Sequence, residues 1–327
     1  MIKNDMFLNL ENFEKKSMRD AYGEALVELG KKNKNIVALC ADLSESTRFN
    51  KFSDKFPNRY FECGVSEQNM IGVSAGLALS GKIPFASSFG VFAPEMVMGQ
   101  LRLSVCYNEA NVKLLSTHCG ITTGQDGATH EALEDIAITR SLPKMTVVVP
   151  CDYEETKKAV HAVAKIKGPF YIRVGRDKYP AFTTGKTPFV IGKANVLMDG
   201  SDCCIIACGI MVYEALIAAK ELAIEGTHCT VINCHTIKPI DYATISLWAK
   251  RTKAVVTAEE HSIIGGLGSA VAEVLGEHSP VPMRRVGTRD TFGESGKPEE
   301  LMKKYKVTKD EIVSAVRAVM REKNKII

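Results

Sequence analysis

The sequence predicts an α/β protein of two domains, each built on a mostly parallel sheet covered by helices. The chain has 327 residues, about twice the common domain size of roughly 150 residues. Short runs rich in β-branched residues alternate with longer stretches whose apolar residues recur at helical spacing, which is typical of parallel sheets. A composition break at residues 179–188, where Pro, Gly and Thr displace both periodicities, separates the two halves.

These observations predict an N-terminal extension over residues 1–16, a first domain over 17–178, a linker over 179–189 and a second domain over 190–323. In the first domain, strands are expected at residues 35–39, 113–116, 145–149 and 170–174. In the second domain, strands are expected at residues 203–208, 230–233 and 254–258.

Two helices carry start signals. Ser17 and Asp20 form a capping-box pattern ahead of a helix predicted over residues 18–29. Thr308 and Glu311 repeat the pattern at the last helix. There, three apolar residues share one face of the predicted helix: Ile312, Val316 and Val319.

Composition and charge exclude several classes of protein. Lys and Arg number 42 against 38 Asp and Glu, a net charge of +4, and the two signs are interspersed. Neither nucleic acid nor a membrane surface is therefore expected as the main partner. The first twenty residues include acidic ones and no uninterrupted apolar core, and no later run approaches 18 apolar residues, so a cytoplasmic protein is expected.

The ten cysteines lie mostly inside apolar stretches such as residues 203–208. Cysteines of this kind behave as small buried hydrophobes in a reducing compartment. Neither C-x-x-C nor H-E-x-x-H occurs, so no metal site made by this chain alone is expected.

Three segments could carry chemistry. Residues 64–79 place one carboxylate, Glu67, at the start of a helix that is otherwise small and apolar. This glutamate is either a helix cap, favoured by the helix N-terminus, or a carboxylate held for a cofactor nitrogen. Residues 84–92 space Phe85, Phe89 and Phe92 through small residues, which fits either core packing or an aromatic slot for a flat heterocycle.

The third segment, residues 116–131, follows a predicted strand and holds His118, Asp126 and His130 among three glycines. Polar groups gathered in one loop after a strand can meet a ligand, although a purely structural loop remains the alternative. The whole string is more specific than its G-x-D-G element alone.

Five strings together resemble the C-terminal half of transketolase. They are G-V-S-E-Q-N-M, P-F-A-S-S-F, T-H-x-G-I-T-x-G-x-D-G-A-T-H, C-H-T-I-K-P and E-H-S-I-I-G-G-L-G. Their order and spacing match over residues 19–319, and the chain most resembles the small subunit of split transketolases, in which two polypeptides make the enzyme. The resemblance implies a pyrimidine-binding domain followed by a transketolase C-terminal domain.

The resemblance also implies thiamine diphosphate and Mg²⁺ as cofactors and sugar phosphates as substrates. Transketolases bind the diphosphate and metal through G-D-G followed by N in an N-terminal domain, and this chain offers only Gln125-Asp126-Gly127, inside another motif. A partner chain carrying G-D-G…N is therefore expected to bring that site, most simply in an α2β2 heterotetramer.

Individual roles carried over from the family fall into four groups. Glu67 is implied to hydrogen-bond N1′ of the aminopyrimidine, which favours the imino tautomer, while the cofactor acts as electron sink when the C2–C3 bond of a ketose breaks. The cofactor pocket is implied to include Phe89, Phe92 and Asp42, with Phe85 a weaker candidate. His118, Asp126 and His130 are implied to reach the sugar, with His118 and His130 also catalytic. Arg19, Ser46, Arg176 and His118 are implied to hold the phosphate.

Two positions depart from the family pattern. Glu95 stands where many transketolases have a tyrosine in the pyrimidine pocket, and Gln125 replaces the glutamate of a common G-E-D-G string. The first places the pocket wall in doubt, and the second removes a charge near the site.

The second domain shows no obvious catalytic set. His235 and Lys238 are expected to fix a turn after a strand, and Glu259, Glu260 and His261 to be structural or interfacial. We therefore expect this domain to serve assembly.

Three functions remain open on the sequence. The first is transfer of a two-carbon ketol unit from a ketose phosphate to an aldose phosphate. The second is the β subunit of a 2-oxo acid dehydrogenase E1, which also offers a pyrimidine-binding glutamate. The third is a transketolase-like subunit without turnover.

Overall fold

A computed structural model describes residues 10 and 13–326 and confirms the α/β fold class. The strands are β1 Lys15–Ser17, β2 Ile36–Cys40, β3 Tyr60–Glu62, β4 Ile83–Phe89, β5 Lys113–Thr117, β6 Thr146–Val148, β7 Phe170–Arg173, β8 Lys178–Pro180, β9 Asn195–Met198, β10 Cys203–Ala207, β11 Cys229–Asn233, β12 Thr236–Lys238, β13 Val255–Ser262 and β14 Met283–Thr288.

The α-helices are α1 Met18–Lys32, α2 Ser44–Thr47, α3 Asn50–Lys55, α4 Glu67–Leu79, α5 Met98–Gln100, α6 Asp135–Ser141, α7 Tyr153–Val163, α8 Met211–Ile224, α9 Tyr242–Thr252, α10 Leu267–His278, α11 Pro298–Lys304 and α12 Lys309–Ile326. Short 3₁₀ turns occupy Pro57–Arg59, Glu95–Val97 and Ile121–Asp126, and Leu101–Tyr107 is a π-helix.

The strands form two large sheets and one small one. The first sheet has the order β12-β6-β7-β5-β4-β2-β3 and is parallel except for β12, and the second has the order β14-β13-β10-β11-β9 and is parallel except for β9. Because β12 comes from the second half of the chain but pairs with β6, the two sheets are linked by backbone hydrogen bonds.

Both large sheets are covered on both faces. Along β2 and β10, alternate residues enter two different hydrophobic cores, as they must when successive side chains point to opposite faces. All ten cysteines are free thiols, and all but Cys63 are buried, as the apolar context of the cysteines predicted.

Each predicted strand is present within a few residues of its expected limits, but seven strands were not predicted: β1, β3, β4, β8, β9, β12 and β14. β4 contains Pro84 and a run of small residues, both unfavourable to a strand prediction. The structure accommodates Pro84 because pairing with β5 starts only at Phe85, opposite Lys113. The missing N–H therefore leaves that ladder intact.

The predicted capping box at α1 is wrong. Ser17 is the N-cap residue but its side chain makes no capping hydrogen bond. Asp20 instead accepts a hydrogen bond from Arg48 Nε at 2.8 Å. At the other end of the chain, α12 begins directly after Thr308, and its three predicted core residues, Ile312, Val316 and Val319, are fully buried.

The predicted linker contains ordered structure. Its first two residues belong to β8, which pairs antiparallel with β1. Most of the predicted N-terminal extension falls on residues 1–9, 11 and 12, outside the described residues, and its last two residues begin β1. The turn expected at His235 and Lys238 is replaced by β12, because this segment completes the edge of the first sheet beside β6.

Asp152 fixes the start of the linker to the first domain. Its fully buried carboxylate caps α7 by accepting the N–H of Glu155 at 2.9 Å. It also accepts the backbone N–H groups of Phe182 at 2.9 Å and Thr183 at 2.6 Å. One carboxylate thus satisfies donors from a helix terminus and from the chain leaving the domain.

We expect Asp152→Asn to lower the free energy of unfolding by about 2–3 kcal/mol, because an amide NH₂ would face backbone donors that a charged acceptor now satisfies. Thermal unfolding would measure the loss. Asp54→Asn, on an exposed residue of α3, is the matched control. Equal melting temperatures for the two variants would contradict this account.

Candidate functional site

The candidate residues gather at one edge of the first sheet. β2, β4, β5 and β7 are neighbouring parallel strands, so their carboxyl ends share an edge. Asp42 follows β2, Phe89 ends β4, His118 follows β5 and Arg176 follows β7. Ligands of open parallel sheets bind at this edge, because strands end there and loops can diverge.

Glu67 is the first residue of α4 and is only 7% exposed. Ser88, one residue before the end of β4, donates its hydroxyl to Glu67 Oε1 at 2.8 Å. A helix N-terminus favours a carboxylate, and the Ser88 bond orients it toward the sheet. Both interpretations of Glu67 from the sequence are thus compatible with its position, since it opens a helix and its carboxylate also meets Ser88 near the carboxyl end of β4.

Four aromatic rings pack against one another at the ends of β4 and β5 and in the loops that follow. Phe89 lies against the His118 imidazole with ring centroids 3.7 Å apart and planes 28° apart. Phe92 is stacked 5.8 Å from Phe89 and meets His130 edge-on at 5.5 Å. The predicted aromatic slot and the two predicted histidines therefore form one wall. Phe85, the weaker candidate, instead lies fully buried in the core near Tyr22.

His118 has an unusual backbone and environment. Its φ of +56° is in the left-handed region, and its Nδ1 lies 2.8 Å from Thr117 Oγ1. Burial, followed by the positive charges of Arg19 and Arg176, lowers the pKa of His118 from 6.5 to about 2. The imidazole is therefore neutral at physiological pH, with one ring nitrogen that donates a hydrogen bond and one that accepts.

Arg176 meets the loop that carries Asp126. Its Nη1 donates to the Thr123 carbonyl at 3.1 Å and to Gln125 Oε1 at 3.3 Å, and its Nη2 lies 3.6 Å from Asp126 Oδ1. Asp126 Oδ2 is in turn 4.0 Å from His118 Nε2. Gln125, the departure from the family string, thus contacts the guanidinium as a neutral acceptor.

Arg19 and Ser46 are also brought together, through the backbone rather than the serine hydroxyl. Arg19 Nη1 donates to the Ser46 carbonyl at 2.7 Å. Burial and the nearby cations Arg48 and Arg176 lower the pKa of Arg19 to about 10. A site with this much positive charge is suited to an anionic group.

Asp42 lies at the same edge but is exposed. Its φ is +57°, and its N–H donates to Glu62 Oε1 at 2.7 Å. Glu62 Oε1 also accepts the N–H of Gly64 at 2.9 Å, so this carboxylate links the residue that follows β2 to the segment that leads into α4. The second departure from the family string, Glu95, is half-buried, and burial raises its pKa to about 8.

Sequence reasoning missed two contacts that shape the site. The first is the hydrogen bond from Ser88 to Glu67. Ser88 lies in the string P-F-A-S-S-F, and because adjacent residues of a strand point to opposite faces, its side chain could have been placed on the face opposite to Phe89. The second is Glu260, whose Oε1 accepts the N–H of Thr122 at 2.7 Å from 138 residues away. No local pattern signals so distant a contact.

Within residues 10 and 13–326, no group of three or more His, Cys, Asp or Glu residues is arranged to hold a metal ion. None of the helices in the same part of the chain is long and apolar enough to cross a membrane.

Comparison with known proteins gives two consecutive family matches. Residues 14–181 match the family described as "Transketolase, pyrimidine binding domain", and residues 192–312 match "Transketolase, C-terminal domain". A solved structure described as "Split gene transketolase, inactive beta4 tetramer" superimposes with a TM-score of 0.88 at 48% identity, covering 93% of this chain and 98% of that one.

Two curated relatives align over nearly their whole length. The 6-deoxy-6-sulfo-D-fructose transketolase subunit SqwH of Clostridium sp. (strain MSTE9) is 47% identical over 307 residues, which is 94% of this chain and 95% of the relative. A putative transketolase C-terminal section of Methanocaldococcus jannaschii is 46% identical over 310 residues, covering 94% and 97%.

The low pKa of His118 has a consequence for stability. Because the folded pKa lies below the unfolded value of about 6.5, acid protonates the unfolded chain first, and stability present above pH 6.5 is lost as the pH falls. We expect the wild type to lose about 2 kcal/mol more than His118→Asn between pH 7 and pH 5. Urea unfolding at the two pH values measures this difference.

Nuclear magnetic resonance gives an independent check on His118. Its ring signal, assigned from its loss in His118→Asn, should stay at the neutral position from pH 8 to pH 5. In urea, the unfolded chain should titrate near pH 6.5. A folded-state titration of that signal above pH 5 would contradict the burial argument.

Proposed function

This chain belongs to the transketolase family, and we propose that it is the C-terminal subunit of a split, thiamine-diphosphate-dependent transketolase. In this proposal it helps transfer a two-carbon ketol unit from a ketose phosphate to an aldose phosphate, in the cytoplasm and in pentose phosphate metabolism. One observation carries it: the buried Glu67 carboxylate, the Phe89–His118 stack and the Arg176 guanidinium lie at one edge of one sheet.

The pyrimidine end of thiamine diphosphate fits this edge. A flat heterocycle needs apolar ring walls and one polar partner, which Phe89, Phe92 and Glu67 offer. Asp42 is a further proposed contact at the rim. When bound, thiamine diphosphate supplies a stabilised carbanion and an electron sink for cleavage of a carbon–carbon bond.

The chain's own residues supply orientation and proton transfer. Glu67 holds a proton at its carboxylate for a ring nitrogen, and Ser88 fixes the direction of that carboxylate. His118 and His130, with Asp126, offer hydrogen bonds to sugar hydroxyls and to the carbonyl oxygen of the substrate. Because His118 is neutral, it can donate from one nitrogen while the other holds Thr117.

The phosphate of the substrate is assigned to the cationic side of the site. The guanidinium of Arg176 presents a planar fork that matches a phosphate, and Arg19 adds a second positive charge. Ser46 lies beside Arg19. The Clostridium relative is named for a sulfosugar, and a sulfonate is an anion that the same cations would attract, so the sugar itself is a matter for assay.

A partner subunit completes the site in this proposal. Hard cations need several oxygen ligands, and such a cluster is absent from the part of the chain that the structure describes. Mg²⁺ and the diphosphate are therefore assigned to an N-terminal subunit carrying G-D-G…N. Apolar side chains at the two ends of α4 are exposed, with Val65 just before the helix at 82% and Leu79, its last residue, at 65%, which supports a covered surface in an α2β2 assembly.

We expect Glu67→Gln to lower turnover by about 10² to 10⁴-fold in the pair reconstituted with thiamine diphosphate and Mg²⁺, because an amide cannot share a proton with a ring nitrogen. The assay follows sedoheptulose 7-phosphate formed from xylulose 5-phosphate and ribose 5-phosphate. Gln68→Glu, at the next and exposed position of α4, is the control for the purity and folding of the preparations.

Full ketol transfer by Glu67→Gln would overturn the role of this residue. Absence of sedoheptulose 7-phosphate with the wild-type pair under any ketose donor would overturn the catalytic proposal itself. Decarboxylation of pyruvate or of branched 2-oxo acids by the pair would favour the E1 alternative instead.

Replacing Arg176 by Lys should weaken recognition of the phosphate, because lysine keeps the charge but loses the two-pronged donor. We expect KM for ribose 5-phosphate to rise by about tenfold or more, the equivalent of losing one charge-assisted hydrogen bond. KM for unphosphorylated ribose should change little. Equal effects on the two sugars would place Arg176 outside the phosphate site.

A further inference from the structure

The loop that carries the proposed sugar-binding residues rests on the second domain. Gly120, Gly124 and Gly127 all have positive φ, at +91°, +76° and +79°. A β-carbon at Gly120 would overlap the Glu260 carboxylate, and one at Gly127 would lie 2.5 Å from Ser295 Oγ. Only glycine therefore permits both the backbone conformation and the close approach of the second domain.

Glu260 is the one second-domain side chain with a described hydrogen bond to the backbone of this loop. It is 3% exposed, and its Oε1 accepts the Thr122 N–H at 2.7 Å. Arg173 Nη2 holds the same region from the other side, donating to the Glu260 carbonyl at 2.9 Å and to the Ala132 carbonyl at 3.2 Å. Glu260 is thus held at its backbone carbonyl by Arg173 and at its carboxylate by Thr122.

The position of Thr122 determines where the cationic side of the site lies. The next residue, Thr123, offers its carbonyl to Arg176 Nη1, and Gln125 and Asp126 contact the same guanidinium. These groups lie within Ile121–Asp126, a 3₁₀ segment that is kinked at Gly124, where φ is +76° and ψ is −117°. A shift at its first turn therefore moves the Thr123 carbonyl directly, and it moves Gln125 and Asp126 through the chain that follows the kink.

We propose that Glu260 is a positioning residue for the reaction: by holding the Thr122 N–H, it sets the loop that aims Arg176 and Asp126 at the substrate. This rests on the proposed function. It also gives the second domain a part in substrate recognition beyond the assembly role expected from the sequence. Glu260 touches neither substrate nor cofactor in this proposal and acts only through the loop.

Glutamine is the conservative replacement. Burial raises the pKa of Glu260 to about 7, so the carboxyl is poised between its two protonation states. Either state, like an amide, still offers an oxygen to a backbone N–H. Aspartate keeps the carboxylate but withdraws it by one methylene from Thr122.

The neighbouring Glu259 is a matched control. It is fully buried and accepts two backbone N–H groups, from Leu267 at 2.7 Å and Gly268 at 2.8 Å, all within the second domain. Its burial likewise raises its pKa to about 7. Shortening Glu259 removes equivalent bonds without touching the loop.

The test compares Glu260→Asp, Glu260→Ala, Glu260→Gln and Glu259→Asp in the reconstituted pair. The measured quantity is the ratio of kcat/KM for ribose 5-phosphate to that for ribose, which does not depend on the active fraction of a preparation. We expect the ratio to fall by about tenfold or more in the first two variants. Glu260→Gln and Glu259→Asp should keep the wild-type ratio.

Hydrogen exchange on this chain alone provides a second measurement that needs no activity. The Thr122 amide should exchange faster in Glu260→Asp than in the wild type, and stay protected in Glu259→Asp. If Glu260→Ala does not fold, the aspartate variants decide. The inference would be overturned if Glu260→Asp kept both the wild-type ratio of kcat/KM values and the wild-type exchange rate of the Thr122 amide. It would also be overturned if Glu259→Asp lowered that ratio as much as Glu260→Asp does.

The two proposals fail in different ways. If the wild-type pair makes no ketol-transfer product, the proposed function is lost while the exchange measurement still decides whether Glu260 orders the loop. If the pair is active and Glu260→Asp retains both wild-type values, only the positioning role is lost.

Discussion

The architecture depends on one buried ion pair at the end of β7. Arg173 Nε donates to Asp135 Oδ2 at 2.8 Å, and the two side chains are 5% and 0% exposed. Burying two charges is costly unless the remaining donors and acceptors are also satisfied. Here the Tyr171 hydroxyl donates to Asp135 Oδ2 at 2.6 Å, and Arg173 Nη2 donates to the carbonyls of Ala132 and Glu260. The pair therefore joins the sheet, the loop and the second domain.

This arrangement explains why the candidate site needs both domains. The loop leaves β5 at His118 and is closed on itself by a bridge between Cys119 and Ala132, so the first domain fixes its two ends. Its middle has no partner strand and lies against the second domain through glycines. The positions of the residues in such a loop therefore depend on how the two domains pack against each other.

Sequence patterns predicted what depends on neighbours in the chain. Buried strands such as β2 and β10 are recognised from their apolar runs. Residues that follow neighbouring parallel strands share an edge, which is why His118 and Arg176 both lie near Asp126. β4 was not predicted because Pro84 and a run of small residues are unfavourable to a strand, although pairing with β5 begins only after Pro84. The roles of the site residues, like the domain boundaries at residues 178 and 190, remain predictions, since roles depend on a ligand and a partner chain.

Contacts across long separations follow a different logic. The hydrogen bond from Thr122 to Glu260 joins residues that share no local pattern, and nothing in either segment indicates the other. Glycines gave the available signal: Gly120 and Gly127 occupy conformations and spaces that no side chain could enter. A run of glycines with polar residues at the end of a strand thus indicates a close approach before the approaching group can be named.

The electrostatics of the site form a single system. Arg19 and Arg176 hold the pKa of His118 down after burial has lowered it, and Arg176 in turn lowers that of Arg19. An anion placed between these guanidinium groups would offset the repulsion among them and raise the pKa of His118, since opposite charges favour the protonated imidazole. Binding of a phosphate and readiness of this histidine to hold a proton are therefore coupled by charge alone.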